Sequence, residues 1–154
     1  MSGQKPVFPP KNVPHLVEAL AGYGRQVIVD AGHGVTEFNQ PLLERVDQVV
    51  VCIRPERLAL ASSKRLIAYL KEIMLPTAIL HAVLLDFGQS IAPPQSALEQ
   101  YIGHKLLDSI RIKRQHMVQE ANGGQALVIA NPKSPLPKSF ARLSKKLLTA
   151  ESSF

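Results

Sequence analysis

The chain has 154 residues, 45% hydrophobic and 19% charged, with a formal net charge of +6. That length fits one compact domain, and the apolar fraction supplies a core, which excludes wholesale disorder. The single cysteine excludes an intramolecular disulfide, and no stretch reaches the roughly 18 uninterrupted apolar residues of a membrane span.

The opening MSGQKPVFPPK lacks the apolar core of a signal peptide, so the expectation is a soluble, cytoplasmic chain. Residues 1–11 read as an N-terminal arm or edge strand, because the prolines around Val7 and Phe8 forbid a central one. Residues 12–149 read as the domain and 150–154 as a tail. Val13, Leu16, Val17 and Leu20 fall on one helical face, with Asn12 as N-cap and Gly22 or Gly24 as the stop. Residues 27–29 read as a strand ending in Asp30-Ala31-Gly32, and residues 48–53 as a strand ending in Arg54-Pro55. Cys52, inside that second run, reads as a buried small hydrophobe.

Leu66, Ile67, Leu70, Ile73 and Met74 mark a long helix that begins near Leu58 and stops at Pro76. Residues 79–85 give a strand ending in Asp86-Phe87-Gly88, Leu98 and Ile102 a shorter helix, and residues 126–129 a strand ending in Ala130-Asn131-Pro132. Phe140, Leu143, Leu147 and Leu148 mark the last helix, with Ser134 as cap and Pro135 in the first turn. The strand candidates are mostly continuous apolar runs, as expected of strands covered on both faces. Their alternation with helices predicts an α/β fold: three layers, doubly wound, around a mostly parallel sheet with right-handed crossovers.

Function in such a sheet gathers at the carboxyl ends of the strands. Asp30, followed by Gly32, His33 and Gly34, suits a metal–water ligand beside a phosphate, since the glycines let backbone amides approach an anion. The alternative is a turn in which Asp30 accepts local amide hydrogen bonds. His33 fits no zinc spacing, His81 sits in an apolar strand and reads as core, and His15, His104 and His116 read as surface. Ser90, Ser96 and Ser109 lack a nucleophile-elbow context. No small-molecule substrate is evident.

The charge is uneven. Between Lys105 and Lys146 stand nine basic residues against two acidic ones. Arg111, Lys113 and Arg114 read as one loop, while Lys138, Arg142, Lys145 and Lys146 ride the last helix. They read either as a solvated face or as a nonspecific DNA-contacting patch.

The order VIVDAGHG, LLERVDQVVVCIRPERLALASSKRLIAYL, ILHAVLLDFG, ALEQYIGHKLLDSI and VQEANGGQALVIANPKSPLPKSFARLSKKL resembles the second half of the ParA/MinD ATPases, and most of all their pilus-assembly branch, CpaE. The matching residues are Val46-Asp47-Gln48-Val49-Val50-Val51, Pro55-Glu56, Ile102-Gly103, Ala121-Asn122-Gly123 and Ser134-Pro135, within about residues 12–148. The resemblance implies a deviant-Walker fold. Asp30 is then placed to support magnesium through water, and Gly34 to sense a γ-phosphate.

The departures are as informative. The sequence contains no Gly-x-x-x-x-Gly-Lys-Ser/Thr and no Lys-Gly-Gly-x-Gly-Lys, so nothing here supplies the amide cradle, the phosphate lysine or the magnesium hydroxyl. The family's Asn-Arg stands as Asp86-Phe87, and its Ile-Pro as Ile110-Arg111. In that fold the phosphate-loop strand lies between the strand ending at Asp30 and the one ending at Ile53. Without it, either the sheet closes by new pairing or two edges stay unpaired, which invites a protein partner or a second copy.

Three readings follow. One is a noncatalytic module for protein interaction or positioning, needing no cofactor. Another is one part of an ATPase that binds ATP and Mg2+ only with a phosphate loop supplied elsewhere. The third is a basic DNA-binding adaptor. A membrane contact through the last helix, of the kind the MinD branch makes, competes with that helix's reading as core.

Overall fold

The computed structural model describes residues 9–24, 26–88, 93–113, 118 and 123–150. The chain divides into two compact units, Met1–Val49 with Ala68–Leu80 and Val50–Ile67 with His81–Phe154. No described helix is long and apolar enough to cross a membrane.

In the first unit a 3-10 turn, Pro10–Asn12, leads into α1 (Val13–Ala21). The edge strand expected at residues 6–9 lies outside the described residues apart from Pro9, whose carbonyl accepts the Asn12 amide at 2.9 Å. Asn12 stands at the N-cap without a side-chain capping bond, and Pro14 sits where a helix needs no N–H. α1 packs against the one-turn helix α2 (Gln40–Leu43), burying Val13, Leu42 and Leu43. Arg45 reaches Glu18 of α1 at 3.3 Å across the solvent side.

Residues 27–29 are not a strand. Three β-branched residues favour extension, but a strand exists only with a ladder partner. None is present among the described residues, and Ile28 is 94% exposed.

The sheet has three parallel strands in the order β1 (Gln48–Ile53), β2 (Ile79–Asp86), β3 (Leu106–Arg111). α3 (Arg57–Ile73) joins β1 to β2, and α4 (Gln95–Ile102) precedes β3. α4 ends where expected, on a glycine: Gly103 takes φ +68°, and its N–H closes the last turn on the Glu99 carbonyl at 3.0 Å. The central strand β2 is buried from His81 through Leu84, as its unbroken apolar run requires.

Val83 and Leu85 pair in register with Asp108 and Ile110, so these four side chains share one face. On that face Val83, Ile110, Ile112, Leu127 and Leu136 form a core cluster, with Leu85, Phe87, Leu107 and Leu143 packed around it. The cluster seats the final helix, Pro135–Ala150, on β2 and β3.

Two expectations are corrected here. Residues 126–129 are not a strand: Leu127–Ala130 is a single helical turn whose amides return to Ala126 and Leu127 at 2.8–3.0 Å. Only Leu127 enters the core, while Val128 and Ile129 stay exposed. A four-residue apolar run carries no period that separates a strand from a turn of helix. The further strand is instead Leu106–Arg111, which the sequence disguises with Asp108 and Ser109. Cys52 is exposed rather than buried. β1 alternates over Val50–Ile53, with Val51 and Ile53 buried and Val50 and Cys52 exposed, so among the described residues only one of its faces is covered there.

Two tests follow. Ile110→Ala empties the centre of the second unit's core, and urea unfolding should show a loss of about 3–4 kcal/mol. Burial, and then the nearby charge of His104, push the imidazole of His81 below its ordinary value. The unfolded chain therefore takes that proton first. Stability is whole above the ordinary histidine range and falls as pH drops below it. Melting curves between pH 7.5 and 5 should show that fall (roughly one histidine's range either side of its usual pKa), flattened in His81→Gln.

Candidate functional site

The Asp30 loop belongs to the first unit. The Asp30 carboxylate turns onto its own loop, with Oδ1 accepting the Gly32 N–H at 2.9 Å. Gly32 and Gly34 take φ of +72° and +67°, a region that side chains strain to enter. This is the local turn that was one of the two readings of Asp30. His33 is exposed beside it.

The residue that organises this loop is Asn39, which the sequence reading passed over. Asn39 is 5% exposed. Its Nδ2 donates to the carbonyls of Ala31 and Gly34, each at 2.9 Å. Its Oδ1 accepts the Thr36 N–H at 2.7 Å, and its own N–H donates to Thr36 Oγ1 at 3.3 Å. The Thr36/Asn39 pair is thus a reciprocal cap at the entrance to α2. The signal was available: Thr-x-x-Asn immediately before Gln40-Pro41, an amide at a capping position with proline in the first turn.

The second unit carries a similar turn at the end of β2. Asp86 Oδ1 accepts the Gly88 N–H at 2.7 Å, and Gly88 takes φ +68°. Asp86-Phe87-Gly88 therefore folds as Asp30-Ala31-Gly32 does. Arg111 Nε lies 3.5 Å from Asp86 Oδ2, with the Arg111 side chain 76% exposed. At the end of β1 the Arg54 guanidinium sits 5.2 Å over the Phe87 ring and bonds Glu56 Oε1 at 2.6 Å. That hydrogen bond is the main reason Glu56 is held below the usual carboxylate range. Glu56 Oε2 is buried without a hydrogen-bond partner among the described residues. No group of three or more potential metal ligands occurs among the described residues.

The basic residues are not one loop and one free face. Arg111 closes β3, and Lys113 follows it, exposed. Arg114 lies outside the described residues. Lys138 and Lys145 are exposed on the final helix. Arg142 and Lys146 turn inward to Asp108. Arg142 grips its carboxylate with two bonds of 2.8 and 2.9 Å, and Lys146 Nζ lies 3.4 Å away. The Asp108 side chain is only 8% exposed. The Arg142 hydrogen bonds foremost, then the Ser109 amide and the charges of Arg142 and Lys146, outweigh burial and hold its carboxyl below the usual range.

The geometry has counterparts among solved structures. A ParA family ATPase from Chlorobium tepidum TLS matches 91% of this chain with 57% of its own, at TM-score 0.80 and 23% identity. The cell division ATPase MinD of Pyrococcus furiosus matches 92% with 59% of its own, at 0.76 and 21%. The fold is that of the ParA and MinD ATPases. The MinD cell division protein of Aquifex aeolicus gives 94% and 63%, at 0.72 and 13%. At these identities the likeness is one of fold. The chain spans 57–63% of the length of these ParA and MinD chains. No family model and no curated protein matches the sequence.

Asn39→Ala strands two carbonyls and one amide of the glycine loop. It should lower stability by about 2 kcal/mol and speed hydrogen exchange at Thr36, measured by NMR on both proteins.

Proposed function

We propose that this chain acts as a noncatalytic ParA/MinD-like module, working through protein contacts in a positioning role of the pilus-assembly (CpaE), cell-division or partitioning kind. The observation that carries this reading is a mismatch. The chain has a ParA/MinD-like fold and carries the Asp30 turn with Gly32 and Gly34, yet it holds no phosphate-loop sequence, and one Asp30 oxygen is already engaged by Gly32. The residues present do not fit ATP and Mg2+ by themselves. Asp30 and the Gly34 loop offer one side of such a site, with no phosphate lysine and no metal-binding hydroxyl beside them, so no catalytic step is derived. The role is assigned to the cytoplasm, with a protein partner or a second copy of the chain at an open strand edge.

A second reading is favoured by the span of 57–63% of the related chains. On it, the chain is one part of an ATPase whose phosphate loop is supplied elsewhere, and Asp30 and Gly34 regain a role once that loop is present. The DNA-adaptor reading is weakened, because Arg142 and Lys146 hold Asp108. It rests on Arg111, Lys113, Lys138 and Lys145. A membrane contact through the final helix is disfavoured by Leu143, which packs on the core.

Calorimetry with ATP and Mg2+ separates the first two readings. The chain alone should give no saturable heat, and it should still give none when mixed with a polypeptide bearing a GKT or GKS loop from the same operon. Binding that appears only in the mixture selects the second reading. Binding by the chain alone that is lost in Asp30→Ala overturns both.

A further inference from the structure

A strand that ends a sheet presents its outer amides and carbonyls to any incoming strand. Among the described residues β3 is such a strand, with β2 on one side of it. The Ile112 N–H donates to the Asp86 carbonyl at 2.7 Å, so the backbone groups of residues 108, 110 and 112 point toward β2. By alternation those of Ser109 point outward.

Those outward groups are engaged by side chains. The Ser109 N–H donates to Asp108 Oδ1 at 2.8 Å, and the Ser109 carbonyl accepts from Arg142 at 3.2 Å. The carbonyl of Leu107, beside the register shift opposite Ala82 and Val83, accepts from Lys146 Nζ at 2.7 Å. Both cations are anchored at the same time on the Asp108 carboxylate. Each cation thus bridges the Asp108 carboxylate and an outward carbonyl of the strand.

We infer that Asp108, Arg142 and Lys146 form an edge guard: they occupy the Ser109 N–H, the Ser109 C=O and the Leu107 C=O on the outer side of β3 and close the middle of that edge to strand addition by a second copy of this chain. An incoming β3 needs the Ser109 N–H and C=O and the Leu107 C=O, and each is already taken. Unlike a gatekeeping charge that repels a neighbour, this guard works by prior occupancy. It also sets Arg142 and Lys146 apart from the exposed lysines of the same helix, because any phosphate that recruited them would have to uncover the edge.

The test is sedimentation of the full chain at roughly 50 μM, where a moderate interface is populated. Arg142→Ala with Lys146→Ala should raise the weight-average mass about two-fold or more over wild type, as expected of a newly opened edge. Adding Ser109→Pro to that pair should return it to the wild-type value, since proline removes an outward N–H and no inward one. Leu143→Ala, which loosens the same helix while leaving the guard in place, should keep the wild-type mass. The inference is overturned if the double variant stays folded at wild-type mass, or if Leu143→Ala associates equally. Should the double variant fail to fold, exchange of the Ser109 amide in the wild-type protein decides. Exchange at least about ten-fold slower than in an open chain supports the guard, since an amide held in a hydrogen bond must open before it exchanges, and an unprotected rate overturns it.

Discussion

One carboxylate, that of Asp108, ties the final helix to β3. Taking it to 8% side-chain exposure is unfavourable unless its oxygens are paired. Arg142, Lys146 and the Ser109 amide pair them. Because the two cations come from the final helix and the carboxylate from β3, satisfying the charge also fixes the helix along the strand. The apolar part of the same contact, Ile110 and Ile112 against Leu136 and Leu143, is non-directional. The ion cluster supplies the direction.

The two ends of the sheet are treated differently. β3 has the outward groups of Ser109 and the Leu107 carbonyl occupied and one face under the final helix. β1 ends the other side with Val50 39% exposed and Cys52 outward. Its run of Val49 through Ile53 has the composition of a strand covered on both faces, and it occupies an end position in the described sheet. The two end strands of the described sheet thus differ: β3 has outward backbone groups held by side chains, and β1 carries exposed apolar side chains.

The Asp-x-Gly turns show how one local rule can serve different ends. Asp30 and Asp86 each accept the amide two residues on, and each glycine adopts a positive φ. At Asp86 the turn sits beside an Arg54–Phe87 stack and an Arg111 contact. At Asp30 it is tied down from the far side by Asn39, and its outer side is exposed. The same three-residue grammar therefore ends a sheet strand in one place and shapes a loop held by a buried amide in the other.

Much of the fold was legible in the sequence, because its signals are local or periodic. The helices at Val13–Ala21, Arg57–Ile73, Gln95–Ile102 and Pro135–Ala150 follow from their spacing and stops, and the strands Gln48–Ile53 and Ile79–Asp86 from continuous apolar runs. The order of these elements carried the resemblance to the ParA/MinD fold. Other features were decided only in three dimensions. Residues 27–29 have the composition of a strand but no ladder partner among the described residues. Residues 126–129 have too short a run to reveal their period. Leu106–Arg111 becomes a strand despite Asp108 and Ser109 because β2 pairs with it and Arg142 of the final helix, 34 residues along from Asp108, neutralises the aspartate. Arg142 and Lys146 look like members of a surface charge run until that aspartate is placed beneath them. A sequence displays a charge, but whether the charge faces water or a buried partner depends on contacts between residues far apart in the chain, and those exist only once the tertiary structure forms.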